Sequence, residues 1–408
     1  MLRYELKKIF AKATSKLALL VLVIGTCVII NMAIGQVRYT DPTTGESASG
    51  IAAARQLRVD KQAWEGPVTA ERLREVLATH RAIIQSSDYQ SEDITRQNIA
   101  YSQTQGYEDL RDLINMAYSP LTEYDYSRID TVTDDDVAHF YEARTASLQA
   151  FFEEEPQAYS QAEQDFLLAH YSAMSAPLYY TDADGWDALY YCSPSMIMFF
   201  IMVSIFFVAG VFPGERSTRA DAIFFASKYG RDKAVRAKIG CVLLVTSVLY
   251  WLALAVYTLV PLAILGADGA DCALQIIDWR SFYNLSIIQG YALILLGGYV
   301  GTMFMTLVAV LLSTRSRNAA LAVTVPYVLI FATNFASNLL SGRSFLADLL
   351  GLMPDQLLQI NQILHHFNLY TIAGTVHGSV PLLLILYSSA SLVLLPLIYQ
   401  LYRRRQVR

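Results

Sequence analysis

The chain has 408 residues, of which 54% are apolar and only 16% charged, with 31 Lys/Arg against 36 Asp/Glu and a net charge of −5. Ordinary soluble domains carry about 25% charged residues, so this composition argues against a purely soluble protein. A net negative chain also gives no reason to expect a nucleic-acid partner.

Residues 2–12 place Leu2, Leu6, Ile9 and Phe10 on one helical face and Lys7, Lys8 and Lys12 elsewhere. This pattern predicts an amphipathic helix on the inner leaflet; the plainer reading is a basic flank that only sets orientation. Six apolar stretches follow, at about 17–34, 194–213, 239–265, 285–313, 319–340 and 379–401, none containing Asp, Glu, Lys or Arg. Each approaches the roughly 20 residues that cross a bilayer as a helix. The first exceeds the h-region of a signal peptide and lacks a clear cleavage site, so it reads as an uncleaved span. The expected fold is an all-α polytopic membrane protein with six transmembrane helices.

Basic residues mark the sides. Arg3, Lys7, Lys8, Lys12 and Lys16, then seven Lys/Arg in 214–238, then Arg315 and Arg317, then Arg403, Arg404, Arg405 and Arg408 all fall at the same ends of successive stretches. Lys and Arg are retained on the cytoplasmic side, which predicts a multi-pass plasma-membrane protein with both termini inside.

Residues 35–193 hold 11 Lys/Arg against 27 Asp/Glu, a net of −16, and form an outer, mostly helical domain between the first two spans. Its helical signals are Leu73, Val76, Leu77, His80 and Ile84 in 69–84, and Leu110, Leu113, Ile114 and Ala117 in 108–118. Thr133 is a candidate N-cap with Asp134, Asp135 and Asp136 in the first turn, and Ser160 with Glu163 makes a capping box. Strands stay open for 36–66. The negative charge concentrates cations, which makes a cationic peptide one candidate cargo; a solvated acidic surface is the plainer account.

Residues 342–378 separate the last two spans and are apolar, with Leu346, Leu349, Leu350, Leu357, Leu358, Ile360, Ile363 and Leu364. Two short helices divided by Pro354 are expected, dipping into the outer interface or packed beneath the outer domain. Cys192 and Cys272 both fall on this side; a disulfide between them and two unpaired thiols are both open. No spacing suggests a metal site, and the adjacent His365 and His366 point to different sides of a helix.

No phosphate-binding GxxxxGK[ST] occurs, and Gly230-Arg231-Asp232-Lys233 has the wrong spacing for one. No nucleophile elbow or zinc-protease motif appears, so the chain is expected not to be an enzyme. The long inner segment 214–238 carries an apolar knob, Ala222 to Ala226, rimmed by Arg and Lys. Such a knob suits docking to another protein, or resting on anionic head groups.

Several of these features together resemble the ABC-2-type permeases, the membrane-spanning subunits of bacterial ABC exporters. They are Glu215-Arg216, the run Ser227-Lys228-Tyr229-Gly230-Arg231, Lys238 entering the third span, and the opening Leu2 to Phe10. Asp184-Gly185-Trp186, Met353-Pro354-Asp355, Phe367 to Tyr370 and Leu395 to Arg403 are similar to a branch with a large extracellular domain. The resemblance implies a coupling helix in a groove of a separate ATP-binding subunit, which would hold the ATP and Mg. That helix maps to Glu215, Arg216, Arg219, Ile223, Phe224, Phe225, Ser227, Lys228, Tyr229, Gly230 and Arg231, with Arg219 standing where many relatives have Gly. It also implies a second permease subunit and paired short helices closing the outer side. Asn31, Gln289, Asn334 and Asn338 are then candidate pathway-lining groups for a peptide or lipid-like cargo; interhelical hydrogen bonds are the alternative for each. A receptor or sensor whose outer domain binds a ligand without transport is the competing function.

Overall fold

The computed structural model describes residues 2–209, 230, 232–315, 319–337 and 344–403. Helix α1 (Leu2–Ala11) leads into α2 (Ala13–Ile34), which runs to Gly35. The inserted domain follows: strands β1 (Arg38–Thr40), β2 (Ser47–Ser49) and β3 (Gly66–Pro67), with helices α3 (Ile51–Gln62), α4 (Ala70–Ile84), α5 (Ile94–Ser102) and α6 (Glu108–Tyr118). Helices α7 (Phe140–Glu154) and α8 (Gln161–Ser172) and strand β4 (Tyr179–Tyr180) complete it.

The bundle is α2 with α9 (Asp184–Ala209), α10 (Lys233–Leu265), α11 (Ile287–Arg315), α12 (Ala319–Ser337) and α15 (Ser379–Arg403). Between the last two lie α13 (Phe345–Leu350), a 3-10 turn (Pro354–Leu358), α14 (Ile360–His365) and the hairpin β5 (Leu369–Ile372) and β6 (Thr375–Gly378). Among the described residues five helices, α2, α9, α10, α11 and α15, are long and apolar enough to cross a membrane. In the sixth stretch α12 has 19 residues, with its apolar part at Ala320–Phe331.

These helices are apolar nearly all round, as expected where one face meets protein and the other lipid. Helix α11 is central and packs on α9, α10, α12 and α15, while α2 packs on α9 and α10. Close approaches fall at glycines: a Cβ on Gly25 would stand 2.1 Å from the Phe199 ring. Tyrosine hydroxyls tie helices by donating to backbone carbonyls, Tyr250 to Leu295 (2.7 Å), Tyr257 to Leu189 (3.0 Å) and Tyr327 to Met202 (2.7 Å). A buried phenol must find an acceptor, and a helix carbonyl has a spare lone pair.

The structure changes several expectations. Helix α9 starts at Asp184, so the last ten residues assigned to the outer domain are its first turns. Asp184 and Asp187 sit where the helix dipole favours acids, so polar residues extend the helix instead of delaying it. Thr133 and Asp136 bond reciprocally, but a 3-10 turn (Asp136–His139) intervenes before α7 begins at Phe140. Thr69 caps α4, and the Ser160–Glu163 capping box opens α8 as expected. The domain does not have a wholly separate core: Leu73, Leu77, Leu113 and Phe140 belong to one buried cluster with Trp186, Ile197, Tyr250 and Leu357 of the bundle side.

Candidate functional site

Residues 344–378 are the part of the molecule where sequence and fold converge on a site. Ser344 caps α13, whose apolar side chains stay outside: Phe345 is 84% exposed. Pro354 opens the 3-10 turn, where its missing N–H costs nothing. From there the chain enters the bundle, and Leu357, Leu358, Ile360, Ile363 and Leu364 are all buried. They fit because α11 presents Gly297 and Gly301 to them, close to Ile360 and to Leu357 and Leu358.

Helix α9 contributes a matching break. Pro194 lacks an N–H, so the carbonyl of Tyr190 loses its helical partner. Asn361 of α14 donates Nδ2 to that carbonyl (3.2 Å), and Ser193 Oγ donates to it too (3.0 Å). The inserted segment is thus bonded to the turn of α9 whose carbonyl Pro194 leaves without a helical partner.

The rest of the expected interfacial pair is different from the expectation. Residues 369–378 form a hairpin, with Ala373 and Gly374 in the left-handed region at its tip. Leu369 is buried with Leu148, Phe152, Leu167 and Tyr171 of the inserted domain. Segment 354–365 packs among the bundle helices, and 369–378 packs against the inserted domain.

A connecting loop, 266–286, joins these parts. Arg144 of α7 is buried and donates Nε to Trp279 O (3.1 Å), Nη1 to Tyr171 O (3.1 Å) and Nη2 to Ser281 O (2.6 Å). Its guanidinium lies 3.8 Å from the Tyr171 ring centroid. Burial pulls its pKa down from the usual arginine value, which still leaves it charged. Arg280 donates to Leu121 O and Pro120 O, each at 3.0 Å. On its other side the loop holds α14: Ser281 Oγ donates to Leu364 O (2.7 Å) and His365 Nδ1 meets Asp278 Oδ1 at 2.7 Å. The Asp278 hydrogen bond raises the His365 pKa above its ordinary value, against the opposing effect of burial.

Two cavities flank these elements. The first, about 320 Å3, lies between α9, α12 and the 3-10 turn, with an apolar wall of Pro194, Met198, Ile330, Phe331 and Leu358. Ser195, Asp355 and Gln359 supply its polar edge, and Asp355 is 1% exposed. The second, about 120 Å3, is lined by Asp109, Asp112, Asp184 and Asp187 with Met116 and Ile276. Beside it Lys61, 3% exposed, bridges Asp109 (2.9 Å) and Asp184. Among the described residues no three His, Cys, Asp or Glu side chains converge as a metal site.

Of the residues singled out from sequence, Glu215, Arg216, Arg219, Ile223, Phe224, Phe225, Ser227, Lys228, Tyr229 and Arg231 lie outside the described residues, and only Gly230 is described, buried in a turn. Asn338 also lies outside them, and of Asn334 only the helical backbone is described. Asn31 and Gln289 are exposed and do not line the larger cavity; Gln289 accepts from Ser286 N–H (3.0 Å). Cys192 and Cys272 are buried free thiols. Sequence reasoning missed Arg144, Asp278 and Ser281, which carry no local signal. Asp355 was visible only as part of a motif.

Comparison with family models, with curated proteins and with solved structures found no match to this chain.

Proposed function

We propose that this chain is the membrane-spanning subunit of an ATP-driven exporter, pairing with a second such subunit and with a separate ATP-binding subunit. The observation that carries the reading is the half-inserted segment 354–365, buried against glycines of α11 and tied by loop 266–286 to the domain above. A segment that enters the bundle and turns back suits a gate on a pathway better than it suits a plain anchor for a receptor domain. Irregular backbone at membrane depth is tolerated where protein or a cavity surrounds it. The alternation of basic segments and the acidic inserted domain support inner termini and an outer domain in a bacterial plasma membrane.

In this reading all six apolar helices cross the bilayer, and 214–238 docks on the ATPase. Nucleotide binding there would shift the helices between two arrangements, as rigid-body switching requires. The cargo is an amphipathic peptide or a lipid-like molecule.

The test is co-purification with an ATP-binding subunit of the kind this reading expects from a neighbouring reading frame, before and after Phe224→Asp with Phe225→Asp. Loss of association and of ATP-dependent efflux is expected. Retention of both would sink the coupling role and favour a receptor.

A further inference from the structure

Ser281 of loop 266–286 is fully buried, and its two polar groups bond to different parts of the molecule. Its carbonyl accepts Nη2 of Arg144 from α7 (2.6 Å), together with Gln275 Nε2 of the same loop (3.2 Å). Its hydroxyl donates to Leu364 O of α14 (2.7 Å). Tyr171 Oη donating to Arg280 O (2.7 Å) and Asn284 Nδ2 donating to His170 O (2.9 Å) add to the hold of the inserted domain on this loop. Asp278 makes a second link from the loop to α14, through His365.

On its bundle side α14 is held differently. Ile360 seats against Gly297 of α11, Ile363 and Leu364 join the shared buried cluster, and Asn361 donates to Tyr190 O (3.2 Å). Apolar contact is non-directional, so such a seat tolerates small shifts. Hydrogen bonds weaken steeply as they bend, so the short bonds on the two sides of Ser281 hold α14 at a set distance from α7.

We propose that loop 266–286 couples the inserted domain to α14 through Ser281, so that a displacement of α7 is passed on to α14 instead of being absorbed between them. Arg144 and Ser281 act as positioning residues in series. The coupling gives the outer domain of the exporter reading a hold on segment 354–365, and it rests on that reading only for the segment's role as a gate. The coupling itself needs no ATPase.

The experiment uses the full chain in phosphatidylcholine nanodiscs, with Cys27, Cys192, Cys241 and Cys272 replaced by Ala and the buried Ile363 replaced by Cys as the single thiol. The rate of maleimide labelling then reports the release of α14. Arg144→Gln does not touch α14, yet it should raise the rate about 10-fold, as the loss of one charge-assisted hydrogen bond predicts. Ser281→Ala should raise it several-fold. Because the two residues act in series, the double variant should label no faster than the faster single one. Arg81→Leu is the control: it removes a bond to Val132 O (2.7 Å) inside the same domain and should leave the rate unchanged. An unchanged rate in either single variant would overturn the proposal. So would effects that multiply in the double variant, or a rise in Arg81→Leu equal to that in Arg144→Gln. Should Arg144→Gln fail to fold, Tyr171→Phe takes its place, since it removes only the hydroxyl bond to Arg280 O. A smaller rise is expected there, and no rise would overturn the coupling. Labelling uses no ATP, so failure here leaves the co-purification test standing, and the reverse also holds.

Discussion

A Cβ built on Gly297 would stand 2.0 Å from Cδ1 of Ile360, and one on Gly301 would stand 3.1 Å from Cδ2 of Leu358. The seat of the inserted segment on α11 is thus made by missing side chains. Gly297→Val forces either α11 or the segment to move. Overpacking of this kind costs about 1–3 kcal/mol. The expected outcome is a lower thermal midpoint and new thiol reactivity at Asn361→Cys, measured with maleimide. Unchanged reactivity would mean that the segment does not depend on this face.

Arg144 is the second fixed point. Replacing it by Leu leaves the carbonyls of Trp279 and Tyr171 without their guanidinium donor and Ser281 O with Gln275 Nε2 (3.2 Å) in its place. Each buried group left unsatisfied costs about 1–3 kcal/mol, so the loss should exceed that of a typical core truncation. Arg144→Lys should rescue little, because an ammonium cannot span three carbonyls in the plane of a guanidinium. Reactivity of the buried Cys272 thiol during heating, in a background with Cys27, Cys192 and Cys241 replaced by Ala, reports the loosening of loop 266–286.

What the sequence revealed follows from which forces are local. The α4 and α6 periodicities and the Ser160 capping box depend on neighbours three or four residues away, and each appears where expected; of the six apolar stretches, five form helices long and apolar enough to cross a membrane among the described residues. The hairpin at 369–378 and the shared core do not. Leu369 is buried by Phe152 and Tyr171, some 200 residues distant, and no pattern around Leu369 announces them. The boundary at 193 follows the start of the apolar stretch, whereas α9 begins ten residues earlier because Asp184 and Asp187 make a favourable first turn at a helix N-terminus. The candidate site suffered most: Arg144 and Asp278 lie 134 residues apart and act through backbone carbonyls and one histidine, which spacing cannot show.

Two histidines should respond to pH with opposite signs. His365 is raised by its hydrogen bond to Asp278, so its stabilising contribution is full below the unfolded value, near pH 6.5, and is lost as pH rises through the folded value. His80 is lowered by burial despite its bond to Asp130. Its neutral form is favoured, so the protein is destabilised as pH falls below about 6.5. Thermal midpoints recorded from about pH 5.5 to about pH 8.5 separate them. Asp278→Asn should flatten the alkaline limb only and Asp130→Asn should steepen the acid one. A limb that ignores its own variant removes that histidine from the account.

Lys61 tests the join between the inserted domain and α9. Burial alone would push its pKa down, but the carboxylates of Asp109 and Asp184 more than offset this and hold it well above the ordinary lysine value. Tyr180 adds a hydrogen bond to Asp109 (2.7 Å). Lys61→Met removes the one cation between the two carboxylates, and breaking such a buried pair costs about 3–5 kcal/mol, much of it from the carboxylates left without compensation. Adding Asp184→Asn should therefore recover part of the loss, with a coupling of about 0.5–3 kcal/mol in a double-mutant cycle of thermal unfolding. Strictly additive single and double variants would show that Lys61 and Asp184 do not share their energy. The domain would then be held to α9 by apolar packing, while Arg144 ties it to loop 266–286.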